Sequence, residues 1–223
     1  MSDKLRLILF DVDGTLVDSQ AAIVSSMTSA FDALGLPAPA RPAILSIVGL
    51  SLPQAMACLA PELESGTQNR LVEAYKHSYH QTRLAQGAAH SPLFPGAREV
   101  LDALHAVPHF LLGVATGKSK RGLDGLIEAH GLEKYFVTRQ VADHHPSKPH
   151  PSMIDTARAE TGVRACDTVM IGDTSFDMDM AAAAGVPGIG VSWGYHPPQS
   201  LTRAQHVIAA FDELPNLLNE VWT

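Results

Sequence analysis

Short runs of apolar residues alternate along the chain with longer stretches in which apolar residues recur every three or four positions. Runs of the first kind are typical of buried strands, and stretches of the second kind are typical of helices that pack on a sheet. The predicted strands are 5–10, 110–115, 135–141, 168–171, 187–191 and 206–209, and the helices that follow them are 96–106, 119–130, 151–161, 176–184 and 212–221. This order predicts an α/β fold, a parallel sheet with helices on both faces.

The alternation is interrupted once, between residue 16 and about residue 92, where the sequence has no convincing strand pattern. The pattern there predicts a helix over 19–34, with Asp18 or Ser19 as its N-cap and Gly35 as its terminator. Further helices are predicted over 43–47, 52–58 and 66–86. We therefore expect two domains, an α/β core of residues 1–16 and 93–223 and an inserted helical cap of residues 17–92.

Composition and charge narrow the classes of function. Apolar residues make up 46% of the 223 residues, which disfavours intrinsic disorder. The net charge of −7 disfavours nucleic acids and anionic membranes as partners. Two distant cysteines, Cys58 and Cys166, disfavour a disulfide framework or a structural zinc site. The apolar run 5–10 is too short for a signal peptide or a membrane span, and the expected location is the cytoplasm.

The first predicted strand ends in two acids, Asp11 and Asp13, followed by Gly14. Parallel α/β sheets bind ligands at the carboxyl ends of their strands. Two carboxylates converging there suit a hard divalent cation, and they also suit phosphoryl transfer through an aspartyl intermediate. The alternative at this point is a solvated Asp/Gly turn.

The second predicted strand ends at Thr116 and Gly117. The Thr116 hydroxyl and the backbone N–H groups that follow could bind a phosphate oxygen. The alternative is that Thr116 or Ser119 caps the next helix.

Lys148 and the pair Asp173 and Asp177 come near later strand ends. A buried lysine near carboxylates would neutralise phosphate charge, whereas most lysines are solvated. Four residues apart, the two acids lie on one side of a helical turn, where Asp173 could share a metal with Asp11 and Asp177 could hold Lys148 or a metal-bound water. The alternative is a pair of acids that stabilise a helix N-terminus.

Together and in this order, segment 11–15, Thr116, Lys148 and segment 172–177 resemble the four motifs of the haloacid dehalogenase-like (HAD) hydrolase superfamily. The resemblance covers nearly the whole chain, and it implies a Rossmann-like core with a mobile cap. Segments 16–19, 94–96, 183–186 and 193–195 are similar to those of phosphoglycolate phosphatase-like proteins. Segment 115–118, Ala-Thr-Gly-Lys, differs from the Thr-Asn-Lys of many relatives, which leaves the substrate open.

The resemblance also implies a role for each motif residue. Asp11 attacks phosphorus and becomes a phosphoaspartate, and Asp13 protonates the leaving oxygen and then activates water. Mg²⁺ is held by the carboxylates of Asp11 and Asp173 and by the backbone carbonyl of Asp13. Thr116, Gly117 and Lys148 bind the phosphoryl oxygens, and Asp177 orients Lys148.

The implied function is a Mg²⁺-dependent phosphatase that hydrolyses a small phosphorylated metabolite, as a monomer or homodimer. Family members that dehalogenate lack an acid at the position of Asp13, which favours phosphate esters. The alternatives are a β-phosphoglucomutase-like phosphosugar mutase, a pyrophosphatase and, from a different class, an inactive interaction protein.

The sequence contains several other histidines, glycines and basic residues near the predicted site. His144, His145 and His150 flank Lys148 without a regular ligand spacing, so we expect solvated histidines there. The glycines at positions 188, 190 and 194 are expected in a loop over the active site, and segment 49–51 of the cap is expected to face it by resemblance. The basic residues of the cap are expected to be solvated, with one of them a possible ligand of a substrate carboxylate or sugar: Arg41, Arg70, Lys76 and Arg83.

Overall fold

The computed structural model describes residues 4–222. Its centre is a parallel six-stranded sheet with the order β3-β2-β1-β4-β5-β6. The strands are β1 (Arg6–Phe10), β2 (Phe110–Thr116), β3 (Phe136–Val141), β4 (Thr168–Gly172), β5 (Gly188–Val191) and β6 (His206–Ile208). The helices that accompany them are α5 (Ala97–His105), α6 (Lys120–His130), α7 (Ser152–Thr161), α8 (Ser175–Ala183) and α9 (Leu214–Val221). The predicted α/β class is confirmed.

The central strand β1 is buried on both faces of the sheet. Ile8 and Phe10 face the hydrophobic cluster formed with α5, α6 and α9. Leu7 and Leu9, on the opposite face, belong to a cluster formed with α7 and α8. Since successive side chains of a strand point to opposite faces, this continuous apolar run is what a doubly covered strand requires.

The strand order brings three carboxyl ends together. β1 pairs with β2 on one side and with β4 on the other. From β1 the strand order runs to one edge through β2 and β3, and to the other edge through β4, β5 and β6. α/β folds bind ligands in the crevice where the strand order reverses in this way.

Four helices form the insert between β1 and α5, called here the helical insert: α1 (Gln20–Ala33), α2 (Arg41–Ser46), α3 (Leu52–Leu59) and α4 (Ser65–Gln86). They share a separate hydrophobic cluster that includes Met27, Phe31, Ile44, Met56 and Leu71. The domain boundaries at residues 16/17 and 92/93 stay a prediction.

The two linkers to the helical insert lie side by side. The Asp18 amide donates to the Pro92 carbonyl at 2.8 Å, and the Phe94 amide donates to the Leu16 carbonyl at 3.0 Å. Val17 and Leu93 form an antiparallel bridge between these bonds. The chain therefore leaves the core and returns to it at adjacent positions.

Several local predictions need correction. Ser19 precedes α1, but its side chain makes no capping bond, because the hydroxyl donates to Asp13. Ser119 caps α6 by accepting from the Gly122 amide, which leaves Thr116 free of that role. The final helix begins at Leu214, two residues later than predicted, after a 3₁₀ turn.

The glycines expected over the active site divide between strand and loop. Gly188 and Gly190 lie in β5, so the expectation of a loop was wrong for them. A Cβ at Gly188 would lie 2.9 Å from the Met178 sulfur, so packing explains that glycine. Gly194 lies after β5 and touches Asp173.

Within residues 4–222, no helix has both the length and the apolar character that a membrane crossing needs.

Candidate active site

Asp11 directly follows β1 and is 1% exposed. Its Oδ1 accepts a hydrogen bond from Lys148 Nζ at 2.8 Å. Its Oδ2 is buried and has no hydrogen-bond partner among the described residues. Burial raises the pKa of Asp11 to about 7; Lys148 opposes the rise, and Asp177 adds to it. One carboxylate oxygen is thus fixed while the other is available to a ligand.

Lys148 is completely buried between two carboxylates. Its ammonium contacts Asp11 and also donates to Asp177 Oδ1 at 2.6 Å. Burial alone would lower the pKa of Lys148, but the two carboxylates outweigh it and raise the pKa above its usual value. Asp177 is itself fixed at the start of α8, where its Oδ2 accepts from the Thr174 amide at 3.0 Å and the Thr174 hydroxyl at 2.6 Å. Of the open alternatives, the structure selects a buried lysine held by Asp177.

Asp173 follows β4, with both carboxylate oxygens bonded. Oδ1 accepts from the Thr15 hydroxyl at 2.9 Å, and Oδ2 accepts from the Tyr195 amide at 2.8 Å. Burial is the largest cause that raises the pKa of Asp173 well above its ordinary value, followed by the negative charges of Asp11 and Asp177. The main chain of Gly194 lies so close that a Cβ there would overlap Asp173.

Carboxylate oxygens of Asp11, Asp173 and Asp177 lie within 4.8 Å of one another. Such an all-oxygen donor set suits Mg²⁺ or another hard cation. Among residues 4–222, Lys148 is the one ammonium that contacts this group, so a divalent cation would offset the remaining negative charge. This charge and the grouping of the carboxylate oxygens make the cluster a fitting cation site.

Two of the predicted metal ligands, Asp11 and Asp173, lie in this cluster, and its third member is Asp177. Both oxygens of Asp177 already accept hydrogen bonds. The Asp13 side chain is directed elsewhere, so only its backbone carbonyl stays a predicted ligand.

Asp13 lies at the rim of the site between a hydroxyl and an ammonium. Its Oδ1 accepts from the Ser19 hydroxyl at 2.6 Å, and its Oδ2 lies 2.9 Å from Lys118 Nζ. The Ser19 amide in turn donates to the Tyr195 hydroxyl at 2.7 Å. These contacts fix an acid that can exchange a proton beside Asp11.

Thr116 and Gly117 complete the core side of the site. Thr116 ends β2 and is 1% exposed, and its Oγ1 accepts from the Lys118 amide at 3.2 Å. A Cβ at Gly117 would collide with the carbonyl oxygens of Gly49 and Leu50 from the helical insert. Glycine is therefore needed where the insert crosses this loop. All of the site residues predicted from the sequence lie around one crevice.

Sequence reasoning missed Lys118 as a member of the site. Its side chain is 8% exposed, and its Nζ donates to the Tyr79 hydroxyl of α4 at 3.1 Å in addition to its contact with Asp13. Burial would lower the pKa of Lys118, but the charge of Asp13 outweighs it and raises the pKa. The available signal was its position two residues after Thr116, in the segment that differs from many relatives. Thr15, Ser19 and Tyr195 belong to segments on which the resemblance rests, but sequence reasoning assigned them no role at the site. Their hydrogen bonds to Asp173, Asp13 and the Ser19 amide supply one.

A cavity of about 960 Å³ lies between the core and the helical insert. Asp11, Asp13 and Thr116 line it on the core side, and segment 49–51 lines it on the insert side, as the resemblance implied. His145 also lines it, bonded to Gln140 and Ser152 at 2.8 Å each. The expectation of solvated histidines is therefore wrong for His145, whereas His144 and His150 are exposed.

Comparison with known proteins gives a consistent family. Residues 8–191 match the family model described as haloacid dehalogenase-like hydrolase. "Probable phosphatase IndB" of Dickeya dadantii is 38% identical over 213 residues, which cover 93% of this chain and 91% of that protein. A phosphoglycolate phosphatase of Vibrio parahaemolyticus is 29% identical, covering 97% of this chain and 96% of that protein.

A crystal structure of a hydrolase from Pseudomonas syringae has the same fold, with a TM-score of 0.85 at 25% identity. The likeness covers 98% of this chain and 100% of that one. The predicted family and the expectation of an enzyme are confirmed: the chain belongs to the haloacid dehalogenase-like hydrolases.

Proposed function

We propose that the protein is a Mg²⁺-dependent phosphatase that hydrolyses the monoester of a small phosphorylated metabolite through a phosphoaspartate on Asp11. The observation that carries this proposal is the state of the Asp11 carboxylate. Lys148 holds Oδ1, while the buried Oδ2 has no hydrogen-bond partner among the described residues. Because Lys148 fixes the carboxylate through Oδ1 and burial leaves Oδ2 poorly solvated, Oδ2 is suited to attack phosphorus.

In the proposed first step, Asp11 Oδ2 forms a bond to phosphorus as the bond from phosphorus to the ester oxygen breaks. Asp13, in its protonated form, gives its proton to the leaving oxygen. In the second step Asp13 takes a proton from water, and that oxygen attacks the phosphoaspartate. The bond from Asp11 to phosphorus then breaks, and inorganic phosphate is released.

Charge neutralisation accompanies both steps in this proposal. Lys148 and the Thr116 hydroxyl bind phosphoryl oxygens together with the backbone at Gly117, and Asp177 positions Lys148. Mg²⁺, held by the Asp11 and Asp173 carboxylates and the Asp13 carbonyl, would supply positive charge for the phosphoryl oxygens.

The class of substrate is proposed from the relatives. The name phosphoglycolate phosphatase, carried by several of them, supports a small phosphorylated acid. The phosphosugar mutase alternative uses the same residues, but it returns the phosphoryl group to a sugar and releases no free phosphate. A pyrophosphatase would release phosphate from pyrophosphate alone. The cytoplasmic location and the monomeric or homodimeric state stay predictions.

The proposal is tested by incubating the full chain and Mg²⁺ with phosphoglycolate, sugar phosphates, nucleoside monophosphates or pyrophosphate, and measuring inorganic phosphate. We expect release from at least one monoester and a loss of about four orders of magnitude or more in Asp11→Asn, which removes the nucleophile. Asp32→Asn, an exposed site on α1, is the matched control. Turnover by Asp11→Asn within tenfold of the parent would overturn the proposal.

A further inference from the structure

The cavity above Asp11 is large for a two-carbon phosphate ester. Its volume of about 960 Å³ is near the upper end of the roughly 300–1,000 Å³ typical of small-molecule sites. Side chains such as Met27 and Ile47 of the helical insert give it an apolar wall. The cavity also contains two arginines that the proposed reaction does not use, Arg83 and Arg121.

Arg83 lies one helical turn beyond the contact between the helical insert and the core. Tyr75, Tyr79 and Arg83 are spaced by four residues, so they lie on one face of α4. Tyr79 contacts Lys118, which contacts Asp13. Four residues of helix rise by about 6 Å, so Arg83 is displaced by this distance along α4 from the residue nearest the reaction centre.

Gly125 on the core side leaves space for the Arg83 guanidinium. A Cβ built at Gly125, in the middle of α6, would overlap Arg83 Nη1. Glycine inside a helix is unfavourable relative to alanine. Its presence here leaves room for the guanidinium to lie against the helix.

Neither arginine has a carboxylate partner within the described part of the chain. The two nearby acids that line the same region are already engaged: Glu73 pairs with Lys76 at 2.8 Å, and Asp143 accepts from the Lys120 amide at 2.8 Å. Arg83 contacts His80 Nδ1 at 3.4 Å. The pKa of His80 is lowered first by burial and then by the positive charges of Arg121 and Arg83, because both arginines lie near it. In a chain with a net charge of −7, this is a local excess of positive charge.

We propose that the substrate carries a second anionic group, remote from the phosphoryl group, which Arg83 of the helical insert and Arg121 of the core bind together. This inference rests on the proposed function for the identity of the first group, a phosphate monoester. Guanidinium groups suit this role because they form paired hydrogen bonds with carboxylates and phosphates. Of the two sequence-based alternatives for Arg83, a solvated charge or a ligand of a substrate carboxylate or sugar, the proposal adopts the second.

Binding to the Asp11→Asn protein in Mg²⁺, measured by calorimetry, tests the inference apart from turnover. Two ligand pairs differ only in one carboxylate: phosphoglycolate with 2-hydroxyethyl phosphate, and 6-phosphogluconate with glucitol 6-phosphate. We expect the anionic member of at least one pair to bind about tenfold more tightly. Arg83→Met and Arg121→Met should each reduce that preference to about threefold or less, without weakening the neutral member.

Two further variants make the test specific. Arg70→Met removes an exposed arginine from the same helix α4 and should leave the preference unchanged. Gly125→Ala should displace the Arg83 guanidinium and reduce the preference while keeping the fold, since alanine favours helix and the arginine side chain can move. Three results would overturn the inference. The preference for the anionic ligand could persist in both Arg83→Met and Arg121→Met, it could fall equally in Arg70→Met, or the parent could show no preference in either ligand pair. Since calorimetry records no turnover, those results would leave the proposed hydrolysis standing.

Discussion

The two sides of the cavity are built in different ways. The core side, formed by Asp11, Lys148, Asp173 and Asp177, is at most 1% exposed, and short bonds link these residues to one another or to strand ends. The helical insert reaches the core through isolated polar contacts, such as the Ser51 amide to the Ser147 hydroxyl at 2.8 Å and Tyr79 to Lys118. Loss of one insert contact leaves the others, whereas loss of Lys148 leaves two buried carboxylates without their shared ammonium. We therefore expect substitutions on the core side to have larger effects than substitutions at single contacts of the insert.

The largest expected effect comes from removing the buried ammonium of the core side. Lys148→Met leaves Asp11 and Asp177 without their shared partner, and breaking a buried ion pair costs about 3–5 kcal/mol. We expect the free energy of unfolding in denaturant to fall by about that amount. Turnover should fall by about three orders of magnitude.

Lys134→Met is the control, because that lysine is 61% exposed and pairs with the exposed Asp102. If the stability and turnover of Lys148→Met were close to those of this control, the core side would tolerate the loss of a single side chain as well as the insert does.

The next effect concerns the cation. Mg²⁺ at about 100 times its dissociation constant should stabilise the parent protein by about 2.7 kcal/mol, measured by thermal unfolding. Asp173→Asn should lose most of this stabilisation, because a neutral amide replaces a carboxylate of the cluster. Asp167→Asn alters a residue at the opposite end of β4, where it pairs with Lys4 and Arg164, and should keep the full response. An equal response in the two variants would remove Asp173 from the cation site.

A smaller effect is expected at the boundary between the two sides. Tyr79→Phe keeps the ring near Lys118 but removes the hydroxyl that accepts from it. A hydrogen bond to a charged group contributes about 1.5 kcal/mol, so kcat/KM should fall by about tenfold. Tyr135→Phe removes a comparable bond, to Asp102 at 2.7 Å, away from the cavity and should change kcat/KM less than twofold. An equal fall in kcat/KM in Tyr79→Phe and Tyr135→Phe would show that the contact between Tyr79 and Lys118 has no special role.

The smallest expected effect is at a single contact of the helical insert. Ser147→Ala removes the acceptor of the Ser51 amide. We expect KM to rise about twofold with little change in kcat, because the other contacts of the insert remain. Steady-state kinetics measure the effect. Ser200→Ala is the control, because the exposed Ser200 hydroxyl donates to the Pro197 carbonyl. A tenfold fall in kcat would show that the insert positions the chemistry directly.

The core side was largely predictable from the sequence because its information is local. Continuous apolar runs mark strands buried on both faces, and polar residues directly after them must lie at one edge of a parallel sheet. Asp11, Thr116 and Asp173 follow from that rule. The predicted ends of β1, β2 and β4 agree with the observed ends to within one residue.

The insert side was not predictable to the same degree because its contacts depend on how two separately packed units meet. The approach of Tyr79 to Lys118 joins residues 39 positions apart, and no periodicity encodes it. Asp18 or Ser19 was predicted as the cap of α1 from the local pattern alone, but the Ser19 hydroxyl bonds Asp13 instead. Likewise, both Thr116 and Ser119 precede a helix, and only the fold shows that Ser119 is the cap.

The paired linkers have a consequence for engineering. Residues 16–18 and 92–94 run side by side with matched hydrogen bonds, so the ends of the insert are spatial neighbours. A foreign module whose own termini are close together could be grafted at this junction without altering strand order or register. Chimeras that exchange residues 19–91 with those of a relative would then inherit the recipient's reaction and the donor's choice of metabolite.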